Sequence, residues 1–304
     1  MVRVDDPRKG IFKRAGFFVS SGQVWDIAGV IGIVIRIAIA GASGQMGRKV
    51  VHLVDREPMW KLVAVVSRTK AGCTLGSVID DVAGPSSGLI FLDSVEKTLQ
   101  ATACDVLIDF TSPQVVQRHI ELALRARVRP VVGTTGLDQK VLTELRKLCL
   151  LHRVGCIVAP NFSIGAVLMM IFSAHIAQYM PHIEIIESHH DRKRDAPSGT
   201  AIKTSELILH HRPEISTQQG GGEQRGKWAS VRGAAYQNFR LHSVRLPSLV
   251  AHQKCLFARS GEMMTIRHDC WNREAFMPGI RLAVLKVMRI QGMVYGLENL
   301  LDFT

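Results

Sequence analysis

The chain has 304 residues, of which 47% are hydrophobic, 21% charged and 6% aromatic. That composition belongs to a globular protein with room for more than one core, and it argues against a disordered or fibrous chain. The net charge of +12 comes from scattered basic residues, which favours the steering of small anions over a nucleic-acid stripe with stacking aromatics.

The six cysteines, Cys73, Cys104, Cys149, Cys156, Cys255 and Cys270, show no C-x-x-C spacing. They read as reduced thiols of a cytoplasmic protein, not as a disulfide framework or a zinc site. Residues 1–34 carry Arg8, Lys9, Lys13 and Arg14 ahead of an apolar run over 27–35. The run is shorter than the roughly 20 residues of a membrane span. It continues into the first core strand, so cleavage there would damage the fold. The expectation is a disordered extension, or an upstream start codon with initiation near Val34; a targeting peptide is the lesser alternative.

The run Ile35-Arg-Ile-Ala-Ile-Ala40 predicts a short apolar strand. Gly41-Ala-Ser-Gly-Gln-Met-Gly47 follows at once, and then a helical pattern over 48–54. Strand, glycine-rich turn and helix together form the context of a dinucleotide site. Gly41 suits the tight turn, Gly44 the approach of backbone amides to a pyrophosphate, and Gly47 close packing of helix on strand. A second strand is predicted over 62–66. It ends in Ser67-Arg-Thr-Lys70, without the carboxylate that accepts from a ribose 2′-OH. Arg68 and Lys70 suit a 2′-phosphate, so the expectation is NADPH, with NADH as the alternative.

Residues 71–104 read as turn-rich, with one apolar run over 89–92. A buried strand is predicted from 105 into Asp109-Phe-Thr-Ser-Pro113, and a helix over 114–125. Further strands end in Gly133-Thr-Thr-Gly136 and in Ala159-Pro-Asn-Phe-Ser163. The alternation predicts a parallel doubly wound sheet, whose ligands sit beyond the carboxyl ends of its strands. The glycine turn, Phe110-Thr111, Gly133-Thr-Thr135 and Asn161-Phe162 all fall there.

Residues 163–177 predict an apolar helix and 182–187 a strand. The strand runs into Glu184-Ile-Ile-Glu-Ser-His-His-Asp-Arg-Lys-Arg-Asp-Ala-Pro-Ser-Gly-Thr-Ala201, and a helix is predicted over 199–209. This stretch crowds His189, His190 and Lys193 against a helix start that suits an anion. His189, of a residue type that titrates near 6.5, suits proton transfer near neutral pH. Lys193 suits a carboxylate and developing negative charge. Adjacent histidines rarely face one ion, and no cysteine partners lie nearby, so no metal is expected. Residues 218–227 read as a polar loop. Strands are predicted over 228–231, 239–246, 251–258 and 262–269, and a helix over 278–288. Strands in succession predict a mixed or antiparallel sheet.

The fold class is therefore α/β. An N-terminal Rossmann-like doubly wound parallel sheet is expected over 35–160, with 277–304 returning to it. A C-terminal α+β domain over 161–276 is expected to bind substrate and build oligomer contacts. No internal repeat is visible.

The motif E-x-x-E-x-H-H-x-x-K-x-D-x-P-S-G-T-A resembles the signature of the 4-hydroxy-tetrahydrodipicolinate reductase (dihydrodipicolinate reductase) family. Glu184, Glu187, His189, His190, Lys193, Asp195, Pro197, Ser198, Gly199, Thr200 and Ala201 carry the match. The resemblance extends from about Ile35 nearly to the end of the chain. It includes the glycine turn, Asp109-Phe-Thr111, Gly133-Thr-Thr-Gly136, Asn161-Phe-Ser163 and His242-Ser-Val-Arg-Leu-Pro247.

The resemblance implies NAD(P)H-dependent reduction of a small dicarboxylate in the diaminopimelate route to lysine, by a cytoplasmic homotetramer without nucleic-acid or membrane partners. It implies that Gly41, Ala42, Ser43, Gly44, Gln45 and Met46 bind the cofactor backbone, and that Arg68 meets its adenosine ribose or phosphate. Gly133, Thr134, Thr135, Ala159, Pro160, Asn161 and Phe162 would line the nicotinamide side. Pro160 has no amide proton to offer, so a contact there uses its carbonyl or ring. His189 is implied as proton donor and acceptor, Lys193 as a second proton donor, and His190, Gly199 and Thr200 as substrate-holding. Ser67 departs from members with an acidic ribose ligand, which argues against efficient use of NADH. Two other readings remain: a related reductase with a different small anion, and a cofactor-sensing or nucleic-acid-binding protein on an inactive reductase scaffold.

Overall fold

The computed structural model describes residues 34–82, 84–212, 232–237 and 239–301. The expected N-terminal extension, the polar loop at 218–227 and the strand at 228–231 lie outside the described residues. Among the described residues no helix is long and apolar enough to cross a membrane.

The strands are β1 (Ile35–Ala40), β2 (Trp60–Val66), β3 (Phe91–Leu92), β4 (Val106–Asp109), β5 (Arg129–Val132), β6 (Gly155–Val158), β7 (His182–His189), β8 (Ala234–Tyr236), β9 (Phe239–Arg245), β10 (Ala251–Arg259), β11 (Glu262–Cys270) and β12 (Gly292–Tyr295). The helices are α1 (Gln45–Arg56), α2 (Leu75–Val78), α3 (Val95–Ala101), α4 (Pro113–Arg125), α5 (Gln139–His152), α6 (Ile164–Ile176), α7 (Gly199–His211) and α8 (Met277–Val287).

The first sheet has seven strands in the order β12-β6-β5-β4-β1-β2-β3. Every pairing in it is parallel. Its central strands are largely apolar; β4 is buried at every position, Asp109 included, and β1 at all but Arg36. Continuous burial is the mark of a parallel sheet covered on both faces. The strand order reverses between β1 and β4, which places a ligand crevice beyond their carboxyl ends. The return of the C-terminal segment is made by β12, an edge strand paired with β6.

The second sheet has the order β11-β10-β7-β9-β8. It is mixed: β7 pairs parallel with β9 and antiparallel with β10. Along β7 the buried positions are Ile183, Ile185 and Glu187, so one face looks into the core. Ile183 and Ile185 share that core with Met169 and Met170 of α6 and with Ala201 and Ile208 of α7.

Residues 71–104 are more ordered than a turn-rich reading expects. α3 forms there because Ser94 caps it, its hydroxyl accepting from the Lys97 amide. α5 gives only a weak apolar stripe, yet it is bounded by the Asp138 cap and by Arg153 in the left-handed region, φ 54°. α6 and α7 start on Ser163 and Ser198, whose hydroxyls accept from the third amide beyond them.

Candidate active site

The glycine turn is shaped by steric necessity. Gly41 has φ +78°, and a Cβ there would stand 2.5 Å from the Phe110 carbonyl oxygen. A Cβ on Gly47 would stand 2.1 Å from the Gly41 oxygen. Only glycine lets the ends of β1 and β4 and the start of α1 approach so closely. Gly44 is the residue before α1, so the first amides of that helix point out of the turn. Arg48 braces the turn from behind, with Nε donating to the Ser43 carbonyl over 3.0 Å.

A cleft of about 380 Å³ opens beside this turn, lined by Gly41, Ser67, Arg68, Thr69, Thr111 and His119 among others. Ser67 is buried, and its hydroxyl meets that of Ser43 at 2.7 Å. Asp93 and Glu96 line the same cleft. Glycine cradle, outward amides and a basic residue at the second strand fit a dinucleotide. Of the residues nominated from sequence for the cofactor backbone and ribose, Gly41 and Arg68 line this cleft, and Ala42 is buried in the core.

Beyond β4, β5 and β6 the strand ends converge. Asp109 is fully buried and accepts from the Thr111 amide, the Thr111 hydroxyl and the Thr134 hydroxyl. It also bonds His119 Nδ1 at 2.7 Å. A Cβ on Gly133 would stand 2.1 Å from the Phe110 ring, and that ring packs on Phe162 with centroids 5.9 Å apart. Ala159 and Phe162 are core residues, whereas Thr135, Pro160 and Asn161 reach the next cleft.

That cleft, about 460 Å³, lies under the start of α7 and is lined by Thr135, Asn161, His189, Lys193, Gly199 and Thr200 among others. Ser198 caps α7, so Gly199 and Thr200 supply first-turn amides with no partner inside the helix. A Cβ added to Gly199 would meet nothing within 4 Å. The Thr200 hydroxyl accepts from Asn161 Nδ2 over 3.2 Å. Lys193 Nζ donates to both Asp195 carboxylate oxygens at 2.8 Å. The Lys193 hydrogen bond is the main reason the Asp195 carboxyl is held below its ordinary value.

His189 ends β7 and bonds Glu187 through Nδ1 at 2.5 Å. Glu187 is also gripped by both terminal nitrogens of Arg245, at 2.9 and 2.8 Å, and by the Ser198 amide at 3.2 Å. Burial pushes the Glu187 carboxyl up, but the bonds from His189, Arg245 and Ser243 outweigh it and hold it at about 2.

A smaller cleft of about 180 Å³ continues past His189 to His252, Gln253 and His268. His252 Nδ1 bonds Asp269 at 2.7 Å, and His268 Nε2 bonds the Ser163 hydroxyl at 3.2 Å. His190 lines neither cleft, and its Nδ1 is buried without a hydrogen-bond partner.

Sequence reasoning gave no role to Glu187, Arg245, Asp109 or His119. The i, i+2 spacing of Glu187 and His189 on one strand face was the available signal. The arrival of Arg245 and His119 depends on register and helix placement, which no local pattern carries.

Comparison with known proteins agrees with this geometry. The family model for the N-terminus of dihydrodipicolinate reductase matches residues 35–162, and that for its C-terminus matches 165–301.

The chain belongs to the dihydrodipicolinate reductase family.

Curated relatives in this family include the 4-hydroxy-tetrahydrodipicolinate reductases of Geobacillus thermodenitrificans and Bacillus pumilus. The first is 48% identical over 268 residues, covering 88% of this chain and 99% of the relative. The second is 47% identical over 268 residues, covering 88% and 98%. Among solved structures, a dipicolinate-bound dihydrodipicolinate reductase from Paenisporosarcina sp. TG-14 superposes with a TM-score of 0.77 at 44% identity, covering 88% of this chain and all of that one. An amine dehydrogenase from Mycobacterium smegmatis, at 12% identity and a TM-score of 0.58, shares the fold. As a dihydrodipicolinate reductase family member, the chain is an oxidoreductase with a nucleotide-binding doubly wound domain.

Proposed function

We propose that the cleft under the start of α7 is where this chain carries out its family's reaction. That reaction is the NAD(P)H-dependent reduction of 4-hydroxy-tetrahydrodipicolinate to tetrahydrodipicolinate on the diaminopimelate route to lysine. The observation that carries the placement is His189. Its Nδ1 is committed to Glu187 while its ring lines a cleft shared with Lys193 and the first amides of α7. The dipicolinate bound to the Paenisporosarcina relative supports a small cyclic dicarboxylate as the ligand here.

Overall, the substrate gains a hydride and a proton and loses water. The nicotinamide, when bound, supplies the hydride. The Gly199 and Thr200 amides hold one carboxylate, favoured by the positive end of the helix. Asn161 fixes the Thr200 hydroxyl beside them. Lys193 meets negative charge that develops on the ring and exchanges part of its Asp195 pairing for the substrate. His189 gives its proton from Nε2, the ring nitrogen that Glu187 leaves available. His190 keeps a substrate-holding role on family resemblance alone. Gly41, Ala42, Ser43, Gly44, Gln45 and Met46 hold the cofactor backbone. Gly133, Thr134, Thr135, Ala159, Pro160, Asn161 and Phe162 form the nicotinamide side, the buried ones as its support.

NADPH is the preferred cofactor in this reading, because Ser67 stands where a ribose-binding carboxylate would and Arg68 lines the cleft. Asp93 and Glu96 in the same lining favour NADH as the second reading. Catalytic efficiency with each cofactor, repeated on Arg68→Ala, separates them. Loss confined to NADPH supports the first. The reading also places the chain in the cytoplasm as a homotetramer, which light scattering of the purified protein checks. Reduction itself is tested by adding the dipicolinate precursor to purified protein and following NADPH absorbance. Substrate-dependent loss of absorbance is expected, and its absence contradicts the proposal.

A further inference from the structure

Glu187 and His189 lie two residues apart on β7 and point to the same face as Ile183 and Ile185. A carboxylate with no exposure at that depth is costly unless donors surround it. Its donors include the two of the Arg245 fork, the Ser198 amide, His189 and Ser243. Arg245 stands opposite His189 in the parallel register of β7 and β9, and its Nη2 also donates to the Asp195 carbonyl at 2.7 Å. The fork therefore ties the carboxylate to the loop that carries Lys193.

A purely structural tie is complete with Arg245 and Ser198. The bond to His189 adds something different. An ionised carboxylate only accepts, so Nδ1 must carry a proton. The proton that His189 can give or take is then the one on Nε2. We propose that Glu187 is a positioning residue for the reduction, setting the tautomer and orientation of His189 through Nδ1, with Arg245 holding Glu187 in place. The proposal rests on the reading of His189 as proton donor.

The other charged and titratable groups near the ring have different duties. Lys193 pairs with Asp195 on the loop, His252 with Asp269 between β10 and β11, and His268 with Ser163 at the start of α6. Glu187 is the group that bonds the His189 ring.

The test compares Glu187→Gln, His189→Gln and the double variant. Glu187→Gln is expected to lower kcat by about 10- to 1,000-fold, within the range of general acid catalysis. The KM and the NADPH affinity should hold within about twofold, because Glu187 is fully buried and lines none of the three clefts. In the His189→Gln background, Glu187→Gln should change kcat by less than about twofold, since residues acting as a unit are not additive.

Equal losses in both backgrounds, or a near-normal kcat for Glu187→Gln, overturn the proposal. Should Glu187→Gln fail to fold, Arg245→Lys carries the same readouts, with a smaller loss in the same direction expected. Near-normal turnover by His189→Gln alone instead defeats the proton-donor reading on which the proposal rests.

Discussion

Asn161 Nδ2 donates to Thr200 Oγ1 over 3.2 Å, which joins the end of the first sheet to the first turn of α7. The same amide accepts from the Ser163 backbone through Oδ1 at 2.8 Å, just ahead of α6. One side chain thus fixes both the loop beyond β6 and a hydroxyl in the substrate cleft. Asn161→Ala should lower kcat/KM by about 5- to 30-fold, the worth of one or two polar contacts of roughly 1 kcal/mol each. The melting temperature should fall only slightly. Steady-state kinetics beside a thermal melt check both.

Gly199 has open space where a Cβ would stand, so no contact within the protein requires glycine there. Gly199→Ala should fold with an unchanged melting temperature, because alanine suits a first-turn position. Its methyl group would intrude on a carboxylate seated at the amides. Substrate KM should therefore rise by about tenfold or more, equivalent to roughly 1.4 kcal/mol, while NADPH affinity stays level. An unchanged KM would remove the carboxylate from this helix start.

Gly41 is a contrasting case. Its φ of +78° and the 2.5 Å approach to the Phe110 oxygen leave no room for a side chain. Gly41→Ala should cost about 1–3 kcal/mol of stability and weaken NADPH binding more than substrate binding. Chemical denaturation and cofactor titration by fluorescence measure the two effects.

The Glu187 carboxyl is held at about 2 against an ordinary 4.5, with burial opposed by stronger hydrogen bonds. A depressed carboxyl stabilises the fold above its unfolded value, and that contribution is lost as pH falls through the folded one. Wild type should therefore exceed Glu187→Gln in melting temperature at neutral pH. The gap should narrow as pH drops from 4.5 towards 2. The comparison matters because Asp105, Asp195 and Asp269 are also held low and add to acid sensitivity in both proteins. A gap that widens on acidification contradicts the ion-pair account.

Strands β1, β2, β4, β5 and β6 of the first sheet were legible because they are buried, largely apolar runs bounded by turns. The motif from Glu184 to Ala201 was legible because its residue types are improbable together without chemistry. α3 and α5 were harder to read, since capping by Ser94 and Asp138 does more for them than apolar periodicity. β12 was hidden because Met293 and Val294 are two apolar residues in a short segment, and only pairing with β6 makes them a strand. In the site, the identity of His189 could be read from sequence but its tautomer could not. That depends on Arg245, 56 residues farther on in the chain, meeting Glu187 through strand register.

The most direct test of the account is turnover of 4-hydroxy-tetrahydrodipicolinate by wild type and His189→Gln, followed through NADPH absorbance, with NADPH affinity measured on both. The account predicts substrate-dependent oxidation by wild type, a loss of about 100-fold or more in kcat for the variant, and unchanged cofactor affinity. Equal turnover by the two proteins, or a variant that no longer binds NADPH, would contradict it.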